Sequence, residues 1–359
     1  MTKRPRLTPA IADVRRAVRA SLHELTSESL VLVALSGGPD SLALALATAF
    51  EARRLGLRAG SVTVDHGIQI GSADVAAAAS SLAENLGLTP VLVRTVRVAG
   101  VGGPEAAART ARYAALELAR QESGASAVLL GHTLDDQAET VLLGLARGSG
   151  AASLRGMAAV SGTYRRPLLG IRRATTVQCC ADAGLAPWND PHNEDSRFAR
   201  VRVRRQVLPV LESTLGPGVA EALARTAEQL REDSEALDRF ATELIEELAE
   251  PAEAGISLSV ASLASNPPAL LNRLIRLAVS SEFHVSLNRV QTLEVASLLT
   301  RWHGQKAVAL PGIRVERRGG LIIFSSTEGM PRAERERRSG SRIAEPGPHP
   351  TDHAGIDQE

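Results

Sequence analysis

The sequence predicts an α/β protein: a doubly wound parallel sheet followed by a smaller, mostly helical second domain. Three observations carry this expectation. Short apolar runs alternate with longer stretches of helical periodicity from Thr8 to about Arg147, the rhythm of a parallel sheet covered on both faces. Gly, Asp and His clusters follow directly on several of those runs, at the strand ends where open parallel sheets bind ligands. Past Leu208-Pro209 the pattern changes to long Glu/Ala/Leu stretches.

Thr8 to Leu25 carries Ile11, Val14, Val18 and Leu22 at helical spacing and reads as an amphipathic helix. Ser29 to Leu35 is a buried strand, and a Leu/Ala helix follows from Ser41 to about Arg54. Gly60 to Val64 is a second strand, ending on Asp65-His66-Gly67; a helix from about Ser72 to Leu86 and a strand over Pro90 to Arg94 come next. Glu105 to Glu122 is helical, and Ala127 to Leu130 is a strand ending on Gly131-His132 with a helix behind it. Gly218 to Glu250 reads as one long helix or a helical pair, and Ser257 to about Phe324 as an α+β or mostly helical unit with strands near Ala307 to Leu310 and Leu321 to Phe324. The expected division is therefore an N-terminal helix (1–27), a catalytic domain (28–210), a helical linker with a C-terminal domain (211–327), and a tail (328–359). That tail is too poor in apolar residues to fold by itself.

Composition narrows the function classes. No apolar run reaches the roughly 18 to 20 residues of a membrane span, and the basic start, Met1 to Pro9, leads into no apolar signal core. A cytoplasmic protein without a membrane partner is expected. Cys179 and Cys180 are adjacent and lack the spacer of redox or zinc pairs, so both are expected as reduced, structural thiols. Net charge is +1, which gives no global case for nucleic acid. Nine arginines nevertheless stand against four acids between Arg165 and Arg205.

Three motifs carry chemistry. Ser36-Gly37-Gly38-Pro39-Asp40-Ser41 joins a strand to a helix. Glycines let backbone approach phosphate closely, the helix start offers unpaired N–H groups, and Asp40 can hold a magnesium ion that bridges phosphates. A Walker A lysine is missing, and the Gly-x-Gly-x-x-Gly pattern does not fit. Arg109 and Arg112 stand three apart on one helix, where they can share a phosphate-bearing ligand or pair with surface acids. In the segment from Gly131 to Thr140, His132, Asp136 and Glu139 are spaced by four and three and stack on one helix face. Magnesium with ATP explains these carboxylates better than zinc, because the HExxH arrangement is absent.

The loop at Ser36–Ser41 resembles the PP-loop of ATP pyrophosphatases, and Val64-Asp65-His66-Gly67 resembles their nucleotide-contacting segment. Glu105 to Tyr113, Gly131 to Thr140, Arg147-Gly148-Ser149-Gly150, Arg166-Pro167-Leu168-Leu169, and Trp188 to Asp195 with Arg200 to Arg204 are similar, in order, to segments of the tRNA(Ile)-lysidine synthetase family. Where that family often has Arg-Asn, this chain has Arg200-Val201. The resemblance runs from about Leu30 to Pro209 and is weaker from Gly218 to Ser325. It implies an adenine nucleotide alpha hydrolase-like fold, ATP and magnesium, and adenylation of the wobble cytidine of a CAU-anticodon isoleucine tRNA. Attack by the amine of free L-lysine, giving lysidine, AMP and pyrophosphate, is implied next. By the same resemblance the loop with Asp65, His66 and Gly131 contacts ATP, Asp136 and Glu139 handle lysine, and His132 and Arg112 contact the nucleotide or stabilise charge. Asp40, with Asp136 as a second candidate, would hold the magnesium. Arg109, Arg197, Arg200, Arg202, Arg204 and Arg205 would meet tRNA phosphates, and a homodimer is implied.

The rival reading on the same core is a tRNA thiolase, which calls for Cys-x-x-Cys pairs that this chain lacks. An amidating synthetase would leave the arginine-rich stretch without a role. A binding-only RNA protein would leave the intact loop and acidic row unexplained.

Overall fold

The computed structural model describes residues 7–67, 71–96, 104–148, 150–190, 194–252 and 254–327. The expectation for the tail at 328–359 lies outside these residues, as does the Glu105 side chain. The chain divides into two compact units, Met1–Asp233 and Ser234–Glu359.

The first unit opens with helix α1 (Pro9–Leu22), capped by the Thr8 hydroxyl, which accepts from the Ile11 N–H, with Pro9 at the first helical position. Its predicted stripe of Ile11, Val14, Val18 and Leu22 is buried. Strand β1 (Leu30–Ala34) leads to α2 (Pro39–Arg54), and β2 (Arg58–Asp65) to α3 (Ser72–Asn85). Strand β3 (Val91–Thr95) leads to α4 (Pro104–Ser123), and β4 (Ala127–Leu129) to α5 (Leu134–Ala146). These are the elements the apolar rhythm predicts, within a few residues at each end.

A short α6 (Ala151–Leu154) and a hairpin of β5 (Val160–Ser161) and β6 (Tyr164–Arg165) follow. Each of these strands has two residues, too few for a periodicity to register. The sheet order is β3-β2-β1-β4-β6-β5, parallel except for the β5–β6 pair. Leu30 to Val33 in the centre are buried on both faces, as parallel strands require. Helices α1, α2 and α7 (Arg173–Asp182) pack into one core that includes Val31, Val33, Cys179 and Cys180. The other sheet face packs Leu30, Leu32 and Val62 against Leu116 and Ala119 of α4. Between α1 and α2, Arg15 and Arg19 both bind Glu51, which is 1% exposed.

Beyond α7 the chain forms α8 (Ala199–Arg202), a π-helical turn (Val203–Val207), α9 (Leu208–Leu215) and the single long helix α10 (Val219–Leu248). Val203, Leu208 and Ala220 from this run pack on Leu134 and Ala138 of α5. That contact brings the arginine-rich segment onto the helix bearing the acidic row. The division between the units, Asp233/Ser234, falls inside α10, whereas the sequence places its boundary at 210/211.

The second unit holds a five-stranded antiparallel sheet of β7 (Ala249–Ala252), β8 (Gly255–Ser259), β9 (Val308–Leu310), β10 (Ile313–Arg318) and β11 (Leu321–Ser326), in the order β7-β8-β11-β10-β9. Helices α11 (Val260–Ala264), α12 (Pro268–Phe283) and α13 (Arg289–Thr300) accompany it, and Leu274, Ile275, Val295, Val315, Ile322 and Phe324 are buried in its core. This is the expected smaller helical domain, with a small antiparallel sheet that gives it an α+β character. Among the described residues no helix is long and apolar enough to cross a membrane.

Candidate active site

The loop between β1 and α2 is shaped by its own residues. Gly37 has φ +83°, a region that costs other residues strain, and Gly38 caps α2 with Pro39 at the first helical position. The Ser41 hydroxyl donates to the Gly38 carbonyl at 2.9 Å and accepts from the Ser36 N–H at 3.2 Å. The loop thus presents the start of a helix, with Asp40 in its first turn. Gly131, at the end of β4, passes beside it: a Cβ there would lie 3.1 Å from the Asp40 carbonyl carbon and the Ser41 nitrogen. Gly131 therefore lets two strand ends converge. Trp188, which borders the same space, ties down the loop, its backbone N–H donating to the Gly37 carbonyl at 2.9 Å.

These segments border a cavity of ≈ 780 Å³. Ser36, Gly38, Pro39, Asp40 and Ser41 line it, as do Asp65, His66, Arg109, Arg112, Gly131, His132 and Asp136. The sequence motifs on three separate strand ends therefore meet in one space. Arg109 and Arg112 flank the Tyr113 ring at 4.9 and 5.6 Å, and Tyr113 packs edge-on against Tyr164 with centroids 5.1 Å apart. The Tyr164 hydroxyl donates to the Tyr113 carbonyl and ties α4 to the sheet. The buried Arg112 Nε, His66 Nδ1 and His132 Nδ1 have no partner within the protein. Buried polar atoms are ordinarily hydrogen-bonded, so three orphans bordering one cavity point to a polar ligand.

Burial, then the neighbouring Arg112, Arg166 and Arg109 guanidiniums, push the His132 imidazolium down to about 3, against the pull of Asp136. His132 is neutral near pH 7 and serves as a hydrogen-bonding group rather than a charge. Burial and Arg112 also lower His66, against Asp65.

The acidic row sits in α5. Asp136 Oδ2 accepts from the Thr133 N–H at 2.8 Å and from the Thr133 hydroxyl at 2.9 Å, a capping contact that fixes the helix start. Its other oxygen faces cations: Arg173 Nη2 donates to Oδ1 at 2.8 Å and Arg204 Nη2 at 3.4 Å. Burial works against ionisation of Asp136, but Arg173, Thr133 and His132 outweigh it and lower its pKa. Glu139, fully buried, receives Arg204 Nε at 2.6 Å, Arg204 Nη2 at 3.1 Å and Arg173 Nη1 at 3.3 Å, with Arg200 Nε at 3.7 Å. Arg173 Nε also donates to Asp40 Oδ2 at 3.1 Å, and the Thr176 hydroxyl donates to Asp40 Oδ1. Burial drives the Asp40 pKa up, and Asp136 adds to this against Arg173 and Thr176. Three carboxylates and three guanidiniums make one partly buried network centred on Asp136 and Glu139.

Arg173 is the residue that sequence reasoning missed. It was visible only as one of nine clustered arginines; its sequence neighbours show no motif that sets it apart. Arg200 and Arg204, expected on an RNA-facing stripe, turn instead toward Glu139. The π-helical turn places Arg204 there, an irregularity often found at functional sites. Arg202 donates to the Ser196 and Arg197 carbonyls, while Arg197 and Arg205 are exposed beside Asp195 and Glu194. Asp40 and Asp136, both on this cavity, suit magnesium, which is typically held by one or two carboxylates plus substrate phosphates. Among the described residues no cluster of three His, Cys, Asp or Glu side chains could cage a metal. Both cysteines are buried, and burial pushes their thiols up to about 11 and about 12, so neither supplies the thiolate that sulfur transfer needs.

A parallel sheet with a Gly-Gly strand-to-helix loop and an opposed acidic row defines an ATP-using enzyme of the PP-loop class. Residues 11–211 match the family described as PP-loop domain, and residues 258–321 match the TilS substrate binding domain. The tRNA(Ile)-lysidine synthase of Leifsonia xyli subsp. xyli is 60% identical over 303 residues, 84% of this chain and 91% of that one. That of Thermobifida fusca is 53% identical, covering 89% and 98%. This chain belongs to the tRNA(Ile)-lysidine synthase family, a family of ATP-using ligases. The fold extends to a U34-tRNA thiolase from Methanococcus maripaludis, with a TM-score of 0.53 at 21% identity over 62% of this chain and 80% of that one. At that identity the likeness concerns fold alone.

Proposed function

We propose that the chain modifies an isoleucine tRNA with a CAU anticodon in the cytoplasm, using ATP and free L-lysine. The cytosine O2 of the wobble cytidine attacks the α-phosphorus of ATP, and pyrophosphate leaves. The lysine side-chain amine then attacks C2, the C2–O bond breaks, AMP leaves, and the amine gives up a proton. The observation that carries this reading is the meeting of Asp40, from the nucleotide loop, with Asp136 and Glu139 at one guanidinium.

Each step has residues suited to it. The Ser36–Ser41 loop supplies backbone amides and a helix start for the departing pyrophosphate, and Arg112 supplies charge where negative charge develops. Magnesium, held by Asp40, would supply charge neutralisation to the phosphates. Neutral His132 offers a hydrogen bond to base or sugar. A lysine ammonium has a reference pKa of about 10.4 and must lose a proton to attack. Asp136 and Glu139 anchor it, and one of them accepts that proton. Glu139 also lines a smaller cavity of ≈ 200 Å³ with Asp135, Arg172, Arg204 and Glu212. Charges of both signs there suit a zwitterionic amino acid. Arg197 and Arg205 are exposed and available to tRNA phosphates.

Purified protein, labelled lysine, ATP, magnesium and an unmodified CAU isoleucine tRNA transcript test the proposal, with a methionine tRNA of the same anticodon as control. Stable lysine incorporation into the isoleucine tRNA alone, with AMP released, is expected. ATP cleavage to AMP without incorporation would refute the lysine step and leave the adenylating core.

A further inference from the structure

Arg173 holds a position that the reaction as described leaves unexplained. Among the described residues it is the cation in hydrogen-bond contact with all three acids: Asp40 at 3.1 Å, Asp136 at 2.8 Å and Glu139 at 3.3 Å. Asp40 belongs to the nucleotide half of the site, and Asp136 and Glu139 to the half assigned above to lysine. One guanidinium therefore occupies the place where the ammonium of lysine would bind, while also touching the loop where phosphates would bind.

The backbone and the side chain of Arg173 are held differently. Its N–H donates to Asp135 Oδ2 at 2.7 Å, which pins the first residue of α7 to α5. Its side chain, 20% exposed, borders the large cavity beside the Ser36–Ser41 loop. The Cα is fixed and the guanidinium has open space on the nucleotide side. A guanidinium binds phosphate oxygens as a two-pronged donor with charge assistance, in the same geometry in which it binds carboxylates.

We infer that Arg173 is a positioning residue that couples the two halves of the site, covering the lysine-anchoring acids until nucleotide phosphates draw its guanidinium away. Without nucleotide, Asp136 Oδ1 and Glu139 Oε1 are satisfied by Arg173, and an entering ammonium must compete with a tethered cation. With phosphates in the loop, the guanidinium turns to them and the acids gain an opening for lysine. Arg204 stays on Glu139 throughout and keeps the row from being left wholly uncompensated. The arrangement favours lysine binding after ATP. Because coupling between two ligands is reciprocal, lysine must tighten nucleotide binding by the same factor. The inference rests on lysine being the amine substrate.

Calorimetric titration of lysine into the intact protein, in one magnesium buffer, tests it. Wild-type protein with saturating α,β-methylene ATP is expected to bind lysine about ten-fold more tightly than without it, a typical coupling factor. Pyrophosphate should reproduce the gain, and adenosine should not, because the phosphates do the pulling. In Arg173→Gln the acids are uncovered from the start. Lysine should then bind with and without the analogue to within two-fold, near the tighter wild-type value. A ratio of one in the wild type, a full ratio retained in Arg173→Gln, or a gain with adenosine equal to that with the analogue would each overturn the inference. The wild-type arms stand even where the variant fails to fold. Lysine incorporation into tRNA without any coupling refutes the role of Arg173 alone, whereas no incorporation refutes the lysine reading and this inference with it.

Discussion

Glu139→Gln isolates the charge of the partly buried network with little change of shape. Glu139 is fully buried and is met by Arg204 at 2.6 and 3.1 Å, Arg173 at 3.3 Å and Arg200 at 3.7 Å. Removing one partner of a buried ion pair costs about 3–5 kcal/mol, because the charge left behind is uncompensated. Two features move the expectation to the lower end. Glutamine keeps one acceptor oxygen, and the three arginine side chains are 20%, 26% and 33% exposed, so they can turn toward water in the cavity. The amide nitrogen, however, sets a donor against donors. The net loss is placed at about 3 kcal/mol, roughly two orders of magnitude in the folding equilibrium. The chain has two tryptophans, Trp188 in the first unit and Trp302 in the second. A Trp302→Phe background therefore lets Trp188, hydrogen-bonded to Gly37, report on the first unit alone in urea. With a slope of about 2–3 kcal/mol/M, the midpoint should fall by about 1 M. Lysine incorporation at 25 °C, where the variant is still folded, should fall at least about 100-fold, as expected for loss of an interaction that positions the nucleophile. A midpoint shift under about 0.3 M would show that Glu139 is not the hub of the network, and near-normal incorporation would refute its role with lysine.

Gly131→Ala would put a methyl 3.1 Å from the Asp40 carbonyl carbon and the Ser41 nitrogen, forcing the loop away from β4. ATP affinity should fall about ten-fold, near 1.4 kcal/mol, and unchanged affinity in a direct binding titration would refute the need for that approach. Arg197→Ala with Arg205→Ala removes two exposed arginines. The slope of log K for tRNA against log salt should flatten by about one per lost phosphate contact; an unchanged slope in filter binding moves the RNA surface elsewhere. His132 has a folded pKa of about 3 against an ordinary 6.5. A histidine held neutral in the fold takes up its proton more readily once unfolded. The stability it contributes is therefore intact above pH 6.5 and is lost as pH falls from 6.5 toward 3. Between pH 7.5 and 5, His132→Asn should lose less stability than the wild type, by about 1–2 kcal/mol. Parallel urea midpoints across that range would refute the neutral, buried imidazole.

What the sequence disclosed and what it hid follow from the range of the interactions involved. The strands β1 to β4 and their helices were legible because burial on two faces writes continuous apolar runs, and helices carry their own period. The nucleotide loop was legible because Gly37 and Gly38 sit at a strand-to-helix junction whose geometry is local. The β5–β6 hairpin was not, since two-residue strands hold no period and form only because β4 offers an edge. The roles of the arginines were the hardest to read. In sequence, Arg200, Arg202, Arg204 and Arg205 form one basic stretch, and all four were expected to face RNA. In the fold, the packing of Val203 and Leu208 on Leu134 and Ala138 turns Arg200 and Arg204 inward to Glu139, while Arg205, half exposed, pairs with Glu194 and borders the large cavity. Arg173 reaches its acids across separations of 133, 37 and 34 residues, and no spacing rule operates over such distances. Charge count therefore located the segment, while the partners were chosen by which apolar neighbours locked each backbone in place. The same logic explains why the acidic row reads as catalytic in sequence yet is covered by cations in the fold. Buried carboxylates must be compensated before any substrate arrives, so the site proposed to receive a lysine ammonium is built around guanidiniums that hold its place.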